Sequence, residues 1–364
     1  MRENNKIKIN KDVHVIIFSD IMFEKLKMLS DAPSISGYED NIRDILEKQM
    51  KKHMDEVKTD KVGNLIARKG KGSPVIMVAA HMDKIGLIVK HVKKEGYIIF
   101  DKVGGWDERI IPARKVIVHG SKGPVTGVIG SKPVHLQEDE ERKKPARMKD
   151  MFIDIGASSE GDVKKLGISV GDPITQAGGA GKLSGSKVTG NGFDNRIGCL
   201  VIHELARLAS KFTGTLVLVG TVKEEIGLLG IRGSAYGVNP DVLLAVDTTI
   251  GGDVPGLSPE EVPIKLGGGP SLELKDAINV ISPSVRKWVT ETASKNKIKI
   301  QIDVSSKGAT DASMGPSIRE GIPSGALSVP VRYIHTPVEV ADMKDIENCV
   351  KLYVKLTETA KKYF

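Results

Sequence analysis

The sequence has few cysteines and few aromatic residues, and each scarcity argues against a class of protein. Its 2 cysteines, Cys199 and Cys349, both lie in helix-like apolar patterns rather than in a metal-binding cluster. We therefore expect two buried, reduced thiols and no disulfide framework. Aromatic residues make up 4% of the chain, which argues against the recognition of sugars or of single-stranded nucleic acid by stacking.

Long apolar runs are missing as well. No stretch approaches the roughly 18 apolar residues of a membrane span, and residues 1–11 lack the apolar segment and cleavage site of a signal peptide. The formal net charge is +8, but acidic and basic residues are interspersed, which favours solubility over nucleic-acid binding. We expect a cytoplasmic protein that has neither a membrane nor a nucleic acid as its partner.

The length and the pattern of apolar residues predict two domains, because 364 residues exceed the roughly 150 of an average domain. Residues 85–175 alternate short apolar runs with glycine, which predicts a small all-β unit. The flanking sequence alternates strands with helices, including a short first helix over residues 21–29 and a last one near residues 343–363. We predict an α/β domain with a mixed sheet flanked by helices, built from residues 1–84 and 176–364 and interrupted by the β insert.

Residues that bind metals or move protons follow four of the apolar strands. They are His81 and Asp83 after residues 74–80, Glu224 and Glu225 after residues 215–222, Asp247 after residues 243–246, and His335 after residues 328–334. A further candidate, Asp194, lies in a glycine-rich turn before a helix. Because open α/β sheets place their ligands at the carboxyl ends of strands, we expect these side chains to converge on one site.

Two imidazoles with three carboxylates suit zinc, cobalt or manganese better than magnesium or calcium, which prefer oxygen ligands alone. Five ligands are too many for one tetrahedral ion but fit two ions if one carboxylate bridges them, and a metal pair of this kind points to hydrolysis. The spacing of His81 and Asp83 adds a second signal, because a ligating imidazole usually donates its other N–H to an orienting carboxylate. Each residue alone is weak evidence, since ionisable side chains are mostly solvent-exposed.

Other motifs fail on inspection. His203 and Glu204 are similar to the start of a zincin motif, but Arg207 stands where the second histidine belongs. The glycine runs lack the spacing of a phosphate-binding loop, and no Gly-x-Ser-x-Gly sequence of a serine hydrolase occurs in a strand-to-helix turn.

At these residues the sequence resembles the tetrahedral aminopeptidases, a family of dinuclear metallo-aminopeptidases that includes glutamyl and deblocking aminopeptidases and homologues labelled endoglucanase. The segments that carry the resemblance are Ala80-His-Met-Asp-Lys-Ile-Gly86, Phe152-Ile-Asp-Ile-Gly-Ala157, Gly192-Phe-Asp-Asn-Arg-Ile-Gly-Cys199, Lys223-Glu-Glu-Ile-Gly-Leu-Leu-Gly230, Ala245-Val-Asp-Thr248, Gly308-Ala-Thr-Asp311 and Arg332-Tyr-Ile-His-Thr-Pro-Val-Glu339.

The resemblance implies a role for each candidate residue. One metal would be held by His81 and Asp247, the other by Glu225 and His335, with Asp194 as the bridge. It further implies that Asp83 orients His81, and that Glu224 is the general base that takes a proton from the bridging water. The implied activity is removal of N-terminal residues from peptides.

The resemblance also implies a zinc-peptidase-like fold, in which the barrel-like insert makes dimer contacts, and a homo-oligomer that is commonly a dodecamer. Two positions depart from the family pattern: Lys84 stands where an acidic or amide residue is usual, and Asn195 where a second Asp is common. No family counterpart is recognised for residues 1–20, which we expect to be peripheral.

Two alternatives remain open from the sequence. A glycoside hydrolase would need two opposed carboxylates and no metal pair, and the scarcity of aromatic residues disfavours it. A non-catalytic binding protein on the same fold would be favoured by loss of a ligand or of the base, yet all seven expected positions are present.

Overall fold

The computed structural model describes residues 11–139 and 143–364. The helices in these ranges are α1 (Lys11–Asp31), α2 (Asp40–Met50), α3 (Glu160–Lys165), α4 (Phe193–Leu208), α5 (Leu229–Val238), α6 (Pro283–Lys295) and α7 (Met343–Thr359). The strands are β1 (Glu56–Thr59), β2 (Leu65–Lys71), β3 (Val75–His81), β4 (Gly86–Val92), β5 (Ile98–Val103), β6 (Arg114–Gly120), β7 (Gly123–Ile129), β8 (Ile153–Asp154), β9 (Pro173–Gln176), β10 (Gly181–Lys182), β11 (Lys187–Gly190), β12 (Gly214–Thr221), β13 (Val242–Ile250), β14 (Ser271–Lys275), β15 (Gln301–Val304), β16 (Ser324–Arg332) and β17 (Glu339–Asp342).

Eleven of the strands form one mixed sheet. The main path runs β1-β2-β12-β3-β13-β16-β17-β11-β10, and β14 pairs with both β15 and β16. Its centre is parallel, because β3 lies between β12 and β13, and β16 follows β13 in the same direction. These central strands are almost wholly apolar and buried on both faces, as parallel strands with helices on both sides must be.

Each face of the sheet packs against helices. In β3, Ile76 and Val78 contact the larger core, which includes residues of α1, α4 and α7, whereas Met77 and Ala79 contact a second core that includes residues of α5. Alternate side chains of a strand point to opposite faces, so the apolar run is buried from both sides. The predicted mixed α/β sheet flanked by helices is confirmed.

The second structural unit is a closed antiparallel barrel with the strand order β4-β5-β8-β7-β6-β9. Inward-facing residues such as Ile98, Val116, Val118 and Ile153 form its own core. The barrel strands lie between β3 and β11 in the chain, so the small β unit expected in this region is present. The domain boundaries and the role of the barrel in dimer contacts stay predictions.

The first helix differs from the prediction. It begins at Lys11, ten residues before the expected start, because the β-branched run over residues 13–17 does not read as helical. Residues 1–10 lie outside the described part of the chain. The expectation that residues 1–20 are peripheral stays a prediction. No helix in the described ranges is both long and apolar enough to cross a bilayer.

The two cysteines are buried and unpaired, as predicted. Burial raises the pKa of the Cys199 thiol to about 11, and burial also raises the pKa of Cys349. Both thiols are therefore protonated and unreactive at neutral pH.

Candidate metal centre

The sheet brings the candidate residues to one edge. His81 is the last residue of β3, and its register partner on the parallel β12 is Thr221, so Glu224 and Glu225 follow directly beside it. Asp247 lies on β13, inside that strand rather than after it as the sequence predicted. His335 follows β16, and Asp194 lies in the first turn of α4, where the backbone is not yet helical.

Six of the seven candidates line one cavity of about 560 Å³. They are His81, Asp194, Glu224, Glu225, Asp247 and His335. The seventh, Asp83, is fully buried beneath the cavity.

The His81 imidazole is oriented through Nδ1, and its Nε2 faces carboxylates. Its Nδ1 lies 3.0 Å from the backbone oxygen of Asp83 and 3.6 Å from the Asp83 carboxylate. Its Nε2 lies 3.1 Å from Oδ1 of Asp194 and 3.5 Å from Oδ1 of Asp247. A ring that donates through Nδ1 leaves Nε2 as a ligand; the backbone carbonyl is the closer acceptor, and the Asp83 carboxylate that was predicted to orient the ring also faces Nδ1.

His335 is fixed in the same way from the barrel. Its Nδ1 lies 3.0 Å from the backbone oxygen of Gly105, in the segment that follows β5. Its Nε2 lies 3.3 Å from Oδ2 of Asp194 and 3.3 Å from Oε2 of Glu225. The barrel therefore contributes directly to the geometry of this imidazole.

Asp194 joins the two histidines, because its two oxygens face different imidazoles. Oδ1 points at His81 and Oδ2 at His335. Ligand atoms of His81, Asp194 and Glu225 all lie within 4.8 Å of one another, and so do those of His81, Glu224 and Asp247. The two groups share His81, and a carboxylate whose two oxygens face two imidazoles has the position of a bridging ligand in a dinuclear centre.

The cavity holds buried carboxylates whose negative charge a bound cation would stabilise. Burial, together with the charges of neighbouring carboxylates, raises the pKa of Glu224 well above its ordinary value, and burial also raises the pKa of Glu225 and of Asp247. Oε1 of Glu225 is buried and has no hydrogen-bond partner among the described residues. Buried carboxylates without partners cost free energy, and a divalent cation removes that cost, so the residues present fit a metal pair.

The Asp83 carboxylate holds the loop that carries the two glutamates. Its Oδ1 accepts from the backbone N–H of Glu224 at 3.1 Å, and its Oδ2 from that of Glu225 at 3.2 Å and from the hydroxyl of Ser36 at 2.5 Å. Burial alone would raise the pKa of Asp83, but hydrogen bonds and charge from His81 and the Ser36 hydroxyl lower it below its ordinary value. Asp83 is thus an ionised acceptor that positions the glutamates.

Two further carboxylates that the sequence analysis missed play similar roles. Glu339 accepts from the backbone N–H groups of Phe193 at 2.5 Å and of His335 at 3.0 Å, so it links the loops of two candidate ligands. Glu39 accepts from the N–H of Lys223 at 3.0 Å. Glu339 ends a quoted motif, but its role depends on backbone contacts that no spacing reveals.

The two departures from the family pattern leave the cavity intact. Lys84 is buried away from the cavity and donates to the backbone oxygen of Ser30 at 3.2 Å, and burial lowers its pKa to about 7. The Asn195 amide donates to the backbone oxygen of Val246 at 2.8 Å and accepts from the N–H of Gly198 at 2.8 Å. An aspartate could not make the first of these bonds, so Asn195 fixes the turn that carries Asp194.

Comparisons with known proteins agree on one family. The family model described as M42 glutamyl aminopeptidase matches residues 63–352. The lysyl aminopeptidase of Pyrococcus furiosus is 35% identical over 342 residues, which cover 93% of this chain and 97% of the relative.

Solved structures agree as well. An aminopeptidase from the archaeon Desulfurococcus kamchatkensis superposes with a TM-score of 0.90 at 37% identity, covering 94% of this chain and 95% of that one. The TET1 peptidase of Pyrococcus horikoshii, described as able to assemble into a tetrahedron or a large octahedral shell, gives a TM-score of 0.83 at 34% identity, covering 92% and 99%.

Proposed function

The chain belongs to the M42 glutamyl aminopeptidase family, and we propose that it removes N-terminal residues from peptides with two divalent metal ions and a glutamate general base. Membership confirms the resemblance to tetrahedral aminopeptidases, and it makes the protein an aminopeptidase that hydrolyses peptide bonds. The observation that carries the dinuclear mechanism is the position of Asp194, whose two oxygens face His81 and His335 at 3.1 and 3.3 Å.

We assign the five metal ligands to two ions. His81 and Asp247 would hold one ion, Glu225 and His335 the other, and Asp194 both. The distances of 3.5 Å between His81 and Asp247 and of 3.3 Å between His335 and Glu225 support this division. Imidazole nitrogens in the donor set favour zinc, cobalt or manganese over magnesium or calcium.

Glu224 is not among the five assigned ligands, so its carboxylate can act as the general base. When bound, a metal pair lowers the pKa of a water and polarises the peptide carbonyl. Glu224 lines the cavity, its Oε2 lies 3.9 Å from Nε2 of His81, and its backbone is fixed by Asp83. We assign to this carboxylate the transfer of a proton from the attacking water to the departing amine, as the peptide C–N bond breaks and the new C–O bond forms.

Removal of the metals tests this function. Treatment with a chelator should abolish cleavage of N-terminally free peptides, and addition of zinc, cobalt or manganese should restore it. A sample incubated without chelator is the matched control and should stay active. Activity that survives chelation, or cleavage of a β-glucan in its place, would contradict the proposal and favour the glycoside hydrolase, which needs no metal.

We also propose a homo-oligomer, a dodecamer built from dimers that contact through the barrel. Val128, Leu166 and Val170, in the segment that contains the barrel, have exposed apolar side chains, which a dimer contact would bury. The related TET1 peptidase is described as able to assemble into a tetrahedron or a large octahedral shell. Light scattering should therefore give a mass of twelve chains, and a stable, fully active monomer would contradict this proposal.

A further inference from the structure

Two acidic side chains that the metal centre does not use lie in one row across the sheet. Asp303 on β15 is the register partner of Glu273 on β14, and Glu273 is the partner of Ala326 on β16. Ala326 is in turn the partner of Ala245 on β13, two residues before the candidate ligand Asp247. Since neighbouring strands are about 4.8 Å apart, Glu273 lies two strands, roughly 10 Å, across the sheet from β13.

Both carboxylates open into the cavity of the metal centre. Glu273 and Asp303 line it together with Asp194, Asp247 and His335. The small side chains of Ala245 and Ala326 pack together between the ligand row and the acidic pair. The cavity therefore extends from the metal ligands to an acidic end.

No cation within residues 11–139 and 143–364 pairs with either carboxylate in an ion pair. The nearby Lys275 ammonium is bonded elsewhere, to the backbone oxygens of Asp276 at 2.8 Å and of Ser305 at 3.0 Å. Lys307 lines the same cavity, but its side chain is exposed and forms no ion pair with either carboxylate. The acidic end is thus without a counter-ion from the described chain.

Burial destabilises a negative charge at Glu273 and Asp303. Burial, followed by the charges of Asp276, Asp247 and Asp303, raises the pKa of Glu273 to about 8, and burial raises the pKa of Asp303. A cation that entered this end would favour the ionised carboxylates and form charge-assisted hydrogen bonds with them.

Part of the cavity lining is apolar. Ile250 and Val304 line the cavity, and their side chains keep 47% and 64% exposure. A long aliphatic stem can cover such surface while a charged end reaches beyond it. Lysine and arginine have this combination, and norleucine has the stem alone.

We propose that Glu273 and Asp303 form the specificity site for the first residue of the substrate, and that the enzyme prefers peptides whose N-terminal residue is lysine or arginine. This inference rests on the proposed aminopeptidase function. With the substrate amino terminus at the metal ligands, its first side chain extends through the cavity towards β14 and β15 and places its cation at the two carboxylates.

Lysyl and norleucyl p-nitroanilides test the proposal, because their side chains differ by the ammonium group. We expect kcat/KM for the lysyl substrate to exceed that for the norleucyl substrate by about 10- to 100-fold, the effect of hydrogen bonds to a charged group. Glu273→Gln and Asp303→Asn should each lower this ratio about tenfold or more. The matched control is Glu260→Gln, an exposed glutamate outside the cavity lining, which should keep the wild-type ratio.

A binding measurement supplies a readout besides turnover. Lysine amide should bind the metal-loaded wild type more tightly than norleucine amide does, and Glu273→Gln should remove that difference. A melting temperature for each variant shows whether it folds. If a variant does not fold, the comparison of the two amides with the wild type still decides the matter.

The failures of the two proposals are distinguishable. If the metal-loaded wild type cleaves neither anilide nor any peptide, the aminopeptidase function itself is wrong. If it cleaves both anilides with a lysyl-to-norleucyl ratio of one or less, the specificity site alone is overturned. A folded Glu273→Gln and a folded Asp303→Asn that both keep the wild-type ratio would overturn it as well.

Discussion

Glu224→Gln should retain both metals and the native fold but lose turnover by about 10²-fold to 10⁴-fold, the usual contribution of a general base. The neighbouring Glu225→Gln should instead lose metal, because a neutral amide is a poorer ligand for a dication than a carboxylate. The two residues are adjacent and chemically identical, yet Glu225 faces His335 at 3.3 Å, whereas the imidazole near Glu224 is His81 at 3.9 Å.

Elemental analysis of bound metal beside peptide cleavage separates the two roles. Excess metal should partly rescue Glu225→Gln and do nothing for Glu224→Gln. Glu95→Gln, at an exposed position of the barrel, is the control for loss of a carboxylate as such. A metal-depleted Glu224→Gln, or a metal-replete and active Glu225→Gln, would show that the two assignments are wrong.

The sequence predicted the architecture because its signals are local. The apolar run of β3 ending in His81, and the glycine-punctuated runs of the barrel, are readable from residue types and spacing alone. Recognition of the family needed only short motifs in a fixed order. The start of α1 was missed, since the β-branched run after Lys11 favours a strand over a helix until packing decides.

The features of the site that were not predicted from the sequence depend on backbone contacts and strand register. The sequence predicts that Asp83 orients His81, and its carboxylate lies 3.6 Å from Nδ1, but spacing does not reveal that the same carboxylate accepts from the backbone of Glu224 and Glu225. A backbone N–H is present at every position except proline, so the residue type does not indicate which N–H donates to Asp83.

The acidic pair was missed for a related reason. Glu273 and Asp303 belong to strands of different sequence neighbourhoods, which meet only because β14 pairs with β15. In the sequence each is an unremarkable charged residue, and ionisable residues are ordinarily exposed. Only the register of the pairing shows that both open into the cavity of the metal centre.

Asp194→Asn should reduce binding of both metals, whereas Glu225→Gln should reduce binding of one. Each oxygen of Asp194 faces a different imidazole, Oδ1 towards His81 and Oδ2 towards His335. An amide keeps one oxygen but loses the charge and the second acceptor, so one ion loses its ligand and the other keeps only a neutral and weaker one. Because partners outside the ligand shell already contribute 10- to 100-fold to metal affinity or activity, loss of this ligand should lower turnover more than about 100-fold.

The metal content of the two variants is the decisive measurement. Bound metal per chain should fall from two in the wild type towards none in Asp194→Asn and towards one in Glu225→Gln. A ligand that binds only the native state raises the melting temperature, so zinc should stabilise the wild type and no longer stabilise Asp194→Asn. If Asp194→Asn kept one tightly bound ion, Asp194 would serve a single metal, and the dinuclear assignment would have to give way to two independent sites.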